Sequence, residues 1–189
     1  MNLTLADKVT ISRLLLLPVA VVLYLLGSDL GYYLSALMVV IIAIGDFLDG
    51  MIARRMDQET NFGAFLDPVA DKICVVTALL LSVFHFANVE VTVCALIMIL
   101  REIAISALRE FMAQRGMRNK VNVLYASKCK TLAQGIAILF LILSSVSHSP
   151  RFLYLFGLFV LVIATILSVW TLAVYLNSSR KELFTQVHL

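Results

Sequence analysis

The chain has 189 residues, of which 61% are hydrophobic and only 14% charged, with a formal net charge of +3. That composition excludes an ordinary water-soluble domain. The small charge, with no basic stripe interleaved with exposed aromatics, argues against nucleic acid as a partner.

A helix that crosses a bilayer needs about 20 mostly apolar residues, and the sequence holds about six such stretches. Residues 1–8 are short and mixed and suit an interface. The first helix is predicted over 9–26. Its apolar run from Leu14 to Leu26 also has the character of a signal segment, but no small-x-small pattern follows it cleanly, so it is read as a retained membrane helix. After a Gly-containing turn, the second helix is predicted over 32–54 and ends at the polar residues 55–61. The third is predicted over 64–86, with a turn around Asn88, and the fourth over 91–114, followed by the polar link 115–120. The fifth is predicted over 124–146, His148 to Pro150 form a turn, and the sixth is predicted over 152–176. These short connections leave no room for a separate soluble domain, so residues 1–189 read as one all-α integral membrane domain. Cys74, Cys94 and Cys129 are odd in number and far apart, which suits small buried residues better than a disulfide or a metal site.

Lys and Arg set the expected orientation, because cytoplasmic segments collect them. With the N-terminus in the cytoplasm, all of the 15 Lys and Arg except Arg151 fall in cytoplasmic segments or in the cytoplasmic halves of helices. Both termini are therefore expected to be cytoplasmic. A multi-pass protein of this layout fits a bacterial cytoplasmic membrane.

Against that background the segment from Asp46 to Asp71 stands out. Asp46 and Asp49 are spaced i,i+3 and Asp67 and Asp71 are spaced i,i+4, so each pair shares a helix face. Carboxylates in or beside hydrocarbon are costly and mark function by default. In the expected topology all four lie within about 12 Å of the cytoplasmic helix ends, at about 1.5 Å per residue. Four negative charges around one cavity need cations to balance them, and two divalent ions cancel them formally. Carboxylate oxygens without His or Cys suit Mg²⁺ or Mn²⁺. Two such ions can clamp the attacking and leaving oxygens of an in-line phosphoryl displacement. Gly50 and Ala53 leave a small-residue patch beside the acids, and Arg54, one turn on, is placed to meet a phosphate oxygen. Taken singly, Gly50 and Ala53 also suit helix packing, and Arg54 a snorkelling anchor.

The pattern Asp46-x2-Asp49-Gly50-x2-Ala53-Arg54-x8-Gly63-x3-Asp67-x3-Asp71 resembles the signature of the CDP-alcohol phosphotransferases at every specified position. The resemblance implies transfer of a substituted phosphate from a CDP-linked donor to an alcohol, with release of CMP. It also implies that Asp46, Asp49, Asp67 and Asp71 bind the two metals and that Asp71 is the general base. Gly50, Ala53, Arg54 and Gly63 would then surround the nucleotide and its pyrophosphate. Near the N-terminus, Thr10 and Arg13 fit the family's segment beside the cytidine, where Asp7 stands in place of the usual Asn. A homodimer is a further implication of the resemblance.

The acceptor is suggested by Asp67-Pro-Val-Ala-Asp-Lys72, Arg101-Glu102, Arg109 and Lys128-Cys-Lys130-Thr131-x2-Gln134. These are similar to the subgroup that makes phosphatidylglycerophosphate, in which a Gly often stands where Ser127 is. The implied substrates are CDP-diacylglycerol and sn-glycerol 3-phosphate. An acceptor carrying its own phosphate needs a basic pocket, for which Arg101, Arg109, Arg118, Lys128 and Lys130 are the candidates. The same cations also serve the positive-inside bias, and Glu102 and Glu110 are placed to pair with some of them. Other acceptors, such as inositol phosphate, serine or phosphatidylglycerol, stay open at this point. So does a cation or proton transporter, although the acids lie near one face and no internal repeat is visible.

Overall fold

The computed structural model describes residues 4–56, 61–114 and 125–179; within these, the side chains of 5–7, 46–56, 61, 64, 67 and 125–128 lie outside the description. Among the described residues, apolar runs rich in Leu, Ile, Val and Ala form six α-helices in chain order. They are α1 Leu5–Leu25, α2 Asp29–Met56, α3 Asn61–Phe86, α4 Val89–Gln114, α5 Tyr125–Ser144 and α6 Arg151–Ser178. The described residues contain no strand. The described residues are all-helical, as the long apolar stretches predict.

Among the described residues, four helices are long and apolar enough to cross a membrane, over Lys8–Leu25, Pro68–Phe86, Val89–Gln114 and Arg151–Ser178. The apolar parts of α2 and α5 that can be described, Asp29–Gly45 and Cys129–Ser144, are shorter. Large apolar side chains point outward along the bundle, among them Leu15, Phe84, Phe159 and Ile166. In water such a surface would be a liability, whereas hydrocarbon is its natural solvent. The architecture is that of a multi-pass membrane protein.

The helices pack as hairpins α1–α2, α3–α4 and α5–α6, and these are joined through α1·α3, α2·α5, α3·α5 and α4·α6 contacts. The three turns at one end of the bundle are tight. Gly27 adopts φ +66°, a left-handed conformation open to glycine, and Ser28 Oγ accepts the Gly31 N–H to start α2. Asn88 Oδ1 accepts the Val91 N–H at the start of α4. Asp29 accepts bonds from both the N–H and the hydroxyl of Ser147, which ties the α5–α6 turn to α2. The rings of Tyr24, Tyr32 and His85 meet edge to face nearby, with centroids 5.1–5.7 Å apart.

Packing is apolar through this half. Tyr24, Leu79, Val91, Met98, Leu141 and Leu161 belong to one buried cluster. A second, smaller cluster of Ile105, Leu108, Met112 and Tyr175 joins α4 to α6 at the opposite end. Gly157 lets α6 approach α5 closely, since a Cβ there would sit 3.2 Å from the Leu141 N and the Phe140 Cβ. Between the two clusters lies a polar layer, and that layer borders the site.

Candidate active site

A cavity of about 430 Å³ opens among α1, α2, α3, α4 and α5. Its character changes along its length. One part is apolar, with Leu17, Ala20, Val39, Ile42, Leu81 and Ile138 on its walls. The other gathers Arg13, Asp71, Lys72, Arg101, Glu102, Arg109, Lys130 and Gln134. Among the described lining residues, five cations (Arg13, Lys72, Arg101, Arg109, Lys130) face two anions (Asp71, Glu102), a difference of three positive charges. Such a space suits a molecule with an anionic head and an apolar tail.

The α3 wall carries Asp71, whose side chain is half-exposed to the cavity. Its Oδ1 accepts a bond from Arg13 Nη1 at 3.3 Å, and Arg13 on α1 is buried. The arginine reaches α3 by crossing Gly45 of α2, where an added Cβ would lie 3.1 Å from the Arg13 Cδ. Thr10 is buried one turn before Arg13. Gly63 is half-buried in the first turn of α3.

The opposite wall is a network on α4, α5 and α6. Glu102 Oε1 accepts from Arg101 Nη1 at 3.0 Å and also pairs with Lys130 Nζ. Arg101 further donates from Nε to the Ser168 carbonyl at 3.1 Å and from Nη2 to Thr171 Oγ1 at 2.6 Å. A planar guanidinium fork suits this role, because it spans from a carboxylate on its own helix to the backbone of a neighbour. Arg109 is exposed and lies over the Tyr175 ring, 5.9 Å from its centroid. Gln134 follows Lys130 by one turn on α5 and is buried.

Asp71, Arg101, Arg109 and Lys130, separated by up to 59 positions in the chain, thus line a single cavity. Asp46, Asp49, Gly50, Ala53 and Arg54 fall in the last part of α2, and Asp67 falls one turn before Asp71 on α3. The side chains of these residues and of Lys128 are outside the described set, as is the whole of Arg118. The sequence places Glu102 to pair with neighbouring cations, and the structure gives Arg101 and Lys130 as its partners, whereas the Arg13–Asp71 pair and the cavity-lining position of Lys72 are not read from sequence. A cation within an apolar run was the available signal for Arg13. No spacing rule names its partner on another helix.

The family model for CDP-alcohol phosphatidyltransferase matches residues 3–174, nearly the whole chain. The chain belongs to this family. Among its relatives is the CDP-diacylglycerol–glycerol-3-phosphate 3-phosphatidyltransferase of Haemophilus influenzae, 40% identical over 180 residues that make up 95% of each chain. A Salmonella typhimurium protein of the same name is 40% identical over 187 residues, 98% of this chain and 100% of the relative. A third, from Shigella flexneri, is 37% identical over the same coverage. Membership of this phosphatidyltransferase family makes the chain an enzyme.

Proposed function

We infer that this protein transfers the phosphatidyl group from CDP-diacylglycerol to sn-glycerol 3-phosphate, giving phosphatidylglycerophosphate and CMP. The observation that carries this reading is the near-complete alignment with relatives bearing that name, together with a cavity whose described lining is rich in cations. The acceptor brings a phosphate into that lining. Arg109 and Lys130 are proposed to hold it, with Arg118 and Lys128 as further contacts. Arg101 borders the same space, but three of its N–H groups are engaged within the protein, so its share is to shape the wall.

Asp46, Asp49, Asp67 and Asp71 are proposed to hold two divalent cations, Mg²⁺ or Mn²⁺. The donor set fits hard cations, being carboxylate oxygen throughout. Asp71, half-exposed in the cavity with a guanidinium already beside it, is a carboxylate placed to meet positive charge. When bound, the metals supply charge stabilisation to the phosphoryl transfer. Thr10, Gly50, Ala53, Arg54 and Gly63 are proposed to receive the cytidine and pyrophosphate of the donor. The reaction is a single displacement. The acceptor's primary hydroxyl attacks the phosphorus that carries diacylglycerol, Asp71 takes the hydroxyl proton, and the bond to CMP breaks with its electron pair leaving on the CMP phosphate. Arg13 holds the Asp71 carboxylate in position for this step.

The lipid enters sideways between helices, and the apolar end of the cavity is continuous with the site. We place both termini and the mouth of the site in the cytoplasm, on the distribution of Lys and Arg, in a six-span protein of the cell membrane that acts as a homodimer. The test is CMP release by purified protein in detergent with CDP-diacylglycerol, Mg²⁺ and glycerol 3-phosphate. Release should require both the acceptor and metal, stop with EDTA and return with excess Mg²⁺. Asp71→Asn should lower it by at least about 100-fold, the scale of a lost general base. Release supported only by another alcohol would overturn the acceptor assignment.

A further inference from the structure

The Gln134 side chain is 2% exposed, yet its Nε2 has no hydrogen-bond partner among the described residues. Buried polar groups are almost always satisfied, and an exception needs an explanation. The amide is not walled in by apolar packing, because Gln134 lines the cavity. The next residue, Gly135, also lines it, and a Cβ built there would meet nothing within 4 Å. Both residues therefore face the same cavity, and an acceptor atom placed there would complete the Gln134 amide.

The chemistry of the neighbours limits what that partner is. Lys130 lies four positions earlier on α5, hence on the same helix face, and Arg109 lines the same cavity. Cations of that kind serve an anionic group. The unpaired atom is an N–H donor, so its partner is an acceptor oxygen, and with the cations engaged by the phosphate the acceptor oxygen left for it is that of a hydroxyl. The reacting hydroxyl must face Asp71, which lies on α3 rather than on α5. Gln134 stands about 6 Å further along the helix than Lys130, at about 1.5 Å per residue. A short polyol phosphate held by its phosphate at Lys130 brings its central carbon toward that position.

Resting on the proposed glycerol 3-phosphate reaction, we propose that Gln134 binds the secondary hydroxyl of the acceptor and selects for acceptors that carry one. A site built to hydrogen-bond a hydroxyl discriminates strongly against the analogue that lacks it, because its own polar group is then left unpaired.

The probe is 3-hydroxypropyl phosphate, which keeps the phosphate and the primary hydroxyl and lacks the secondary one. The wild-type enzyme in detergent, with CDP-diacylglycerol and Mg²⁺, should prefer glycerol 3-phosphate in kcat/KM by about 10- to 100-fold. In Gln134→Met, of similar shape and without the amide, that ratio should fall to within about threefold of unity. Turnover of the analogue should change little. Should Gln134→Met not purify, Gln134→Asn is read in the same way, since it keeps the amide but draws it back by one methylene. A wild-type ratio near one overturns the proposal. So does a variant that keeps the wild-type ratio while both activities fall, which would make Gln134 a structural residue served by water. No CMP release from wild-type enzyme with glycerol 3-phosphate would instead sink the underlying function, and the two failures are therefore distinct.

Discussion

Removing the Glu102 carboxylate is the sharpest test of the wall opposite Asp71. In Glu102→Gln, Arg101 and Lys130 lose their shared counter-charge while both side chains stay 6% exposed. Breaking one side of a buried ion pair costs about 3–5 kcal/mol. We take the low end, about 3 kcal/mol, because Glu102 borders the cavity and water there can reach part of the charge. At about 2–4 °C per kcal/mol for a chain of this size, the thermal midpoint in detergent should fall by about 6–12 °C. Glu102→Gln combined with Lys130→Met removes the stranded ammonium as well and should recover more than half of that loss. The two substitutions are then strongly non-additive, as contacting residues are. Differential scanning fluorimetry in one detergent on the wild type, both single variants and the double variant gives the cycle. The double variant should remain poor with glycerol 3-phosphate, since Lys130 is one of its proposed phosphate contacts. A midpoint for Glu102→Gln within about 1 °C of wild type, or additive losses in the cycle, would refute the network as a source of stability.

Two glycines should respond with opposite signs to the same methyl group. A Cβ at Gly31 would lie 2.4 Å from the Leu23 carbonyl oxygen, so Gly31→Ala should destabilise by about 1–3 kcal/mol, read as a lower thermal midpoint. Gly135 is helical with nothing within 4 Å, and Gly135→Ala should be neutral or stabilise by up to about 1 kcal/mol. For orientation, in a background without Cys74, Cys94 and Cys129, His148→Cys should react with a membrane-impermeant maleimide on intact cells. Gln114→Cys should react only after permeabilisation, and the reverse pattern would invert the proposed topology.

The helical plan was legible because apolar runs and their breaks are strong, local signals. Most predicted limits fall within a few residues of those found, and the differences have local causes. The first helix begins at Leu5 rather than at residue 9, since the Lys8 N–H already bonds the Thr4 carbonyl. The second begins at Asp29 because the Ser28 hydroxyl caps it, so that Gly31 lies in the first turn of the helix rather than in the preceding loop. The acid pattern is likewise local, and it drew attention to Asp71 without any knowledge of the fold. What could not be read is the pairing across helices. Periodicity tells which face a residue occupies but not which helix it meets. Arg101 shows the difference: its charge suggested a phosphate contact, while its position near the middle of α4 turns the guanidinium toward Ser168 and Thr171 of α6.

The same network bears on why an acceptor with a phosphate suits this cavity. Cations in an apolar bundle persist only where they are paired or reach water. Arg13 is matched by Asp71, and Arg101 and Lys130 share Glu102, so the buried cations are stable while the cavity holds only solvent. One carboxylate divided between two cations leaves an excess of positive charge, and Arg109 adds to it at an exposed position. A neutral alcohol offers these groups nothing in exchange for the water it displaces. A phosphate offers several acceptor oxygens and negative charge, of which the described lining has less than positive, and this would favour charge-assisted bonds to Lys130 and Arg109 even while Glu102 remains in place. In the proposed reaction, selection among acceptor alcohols then rests first on charge, through a lining whose described cations exceed its anions, and second on the proposed neutral contact of Gln134.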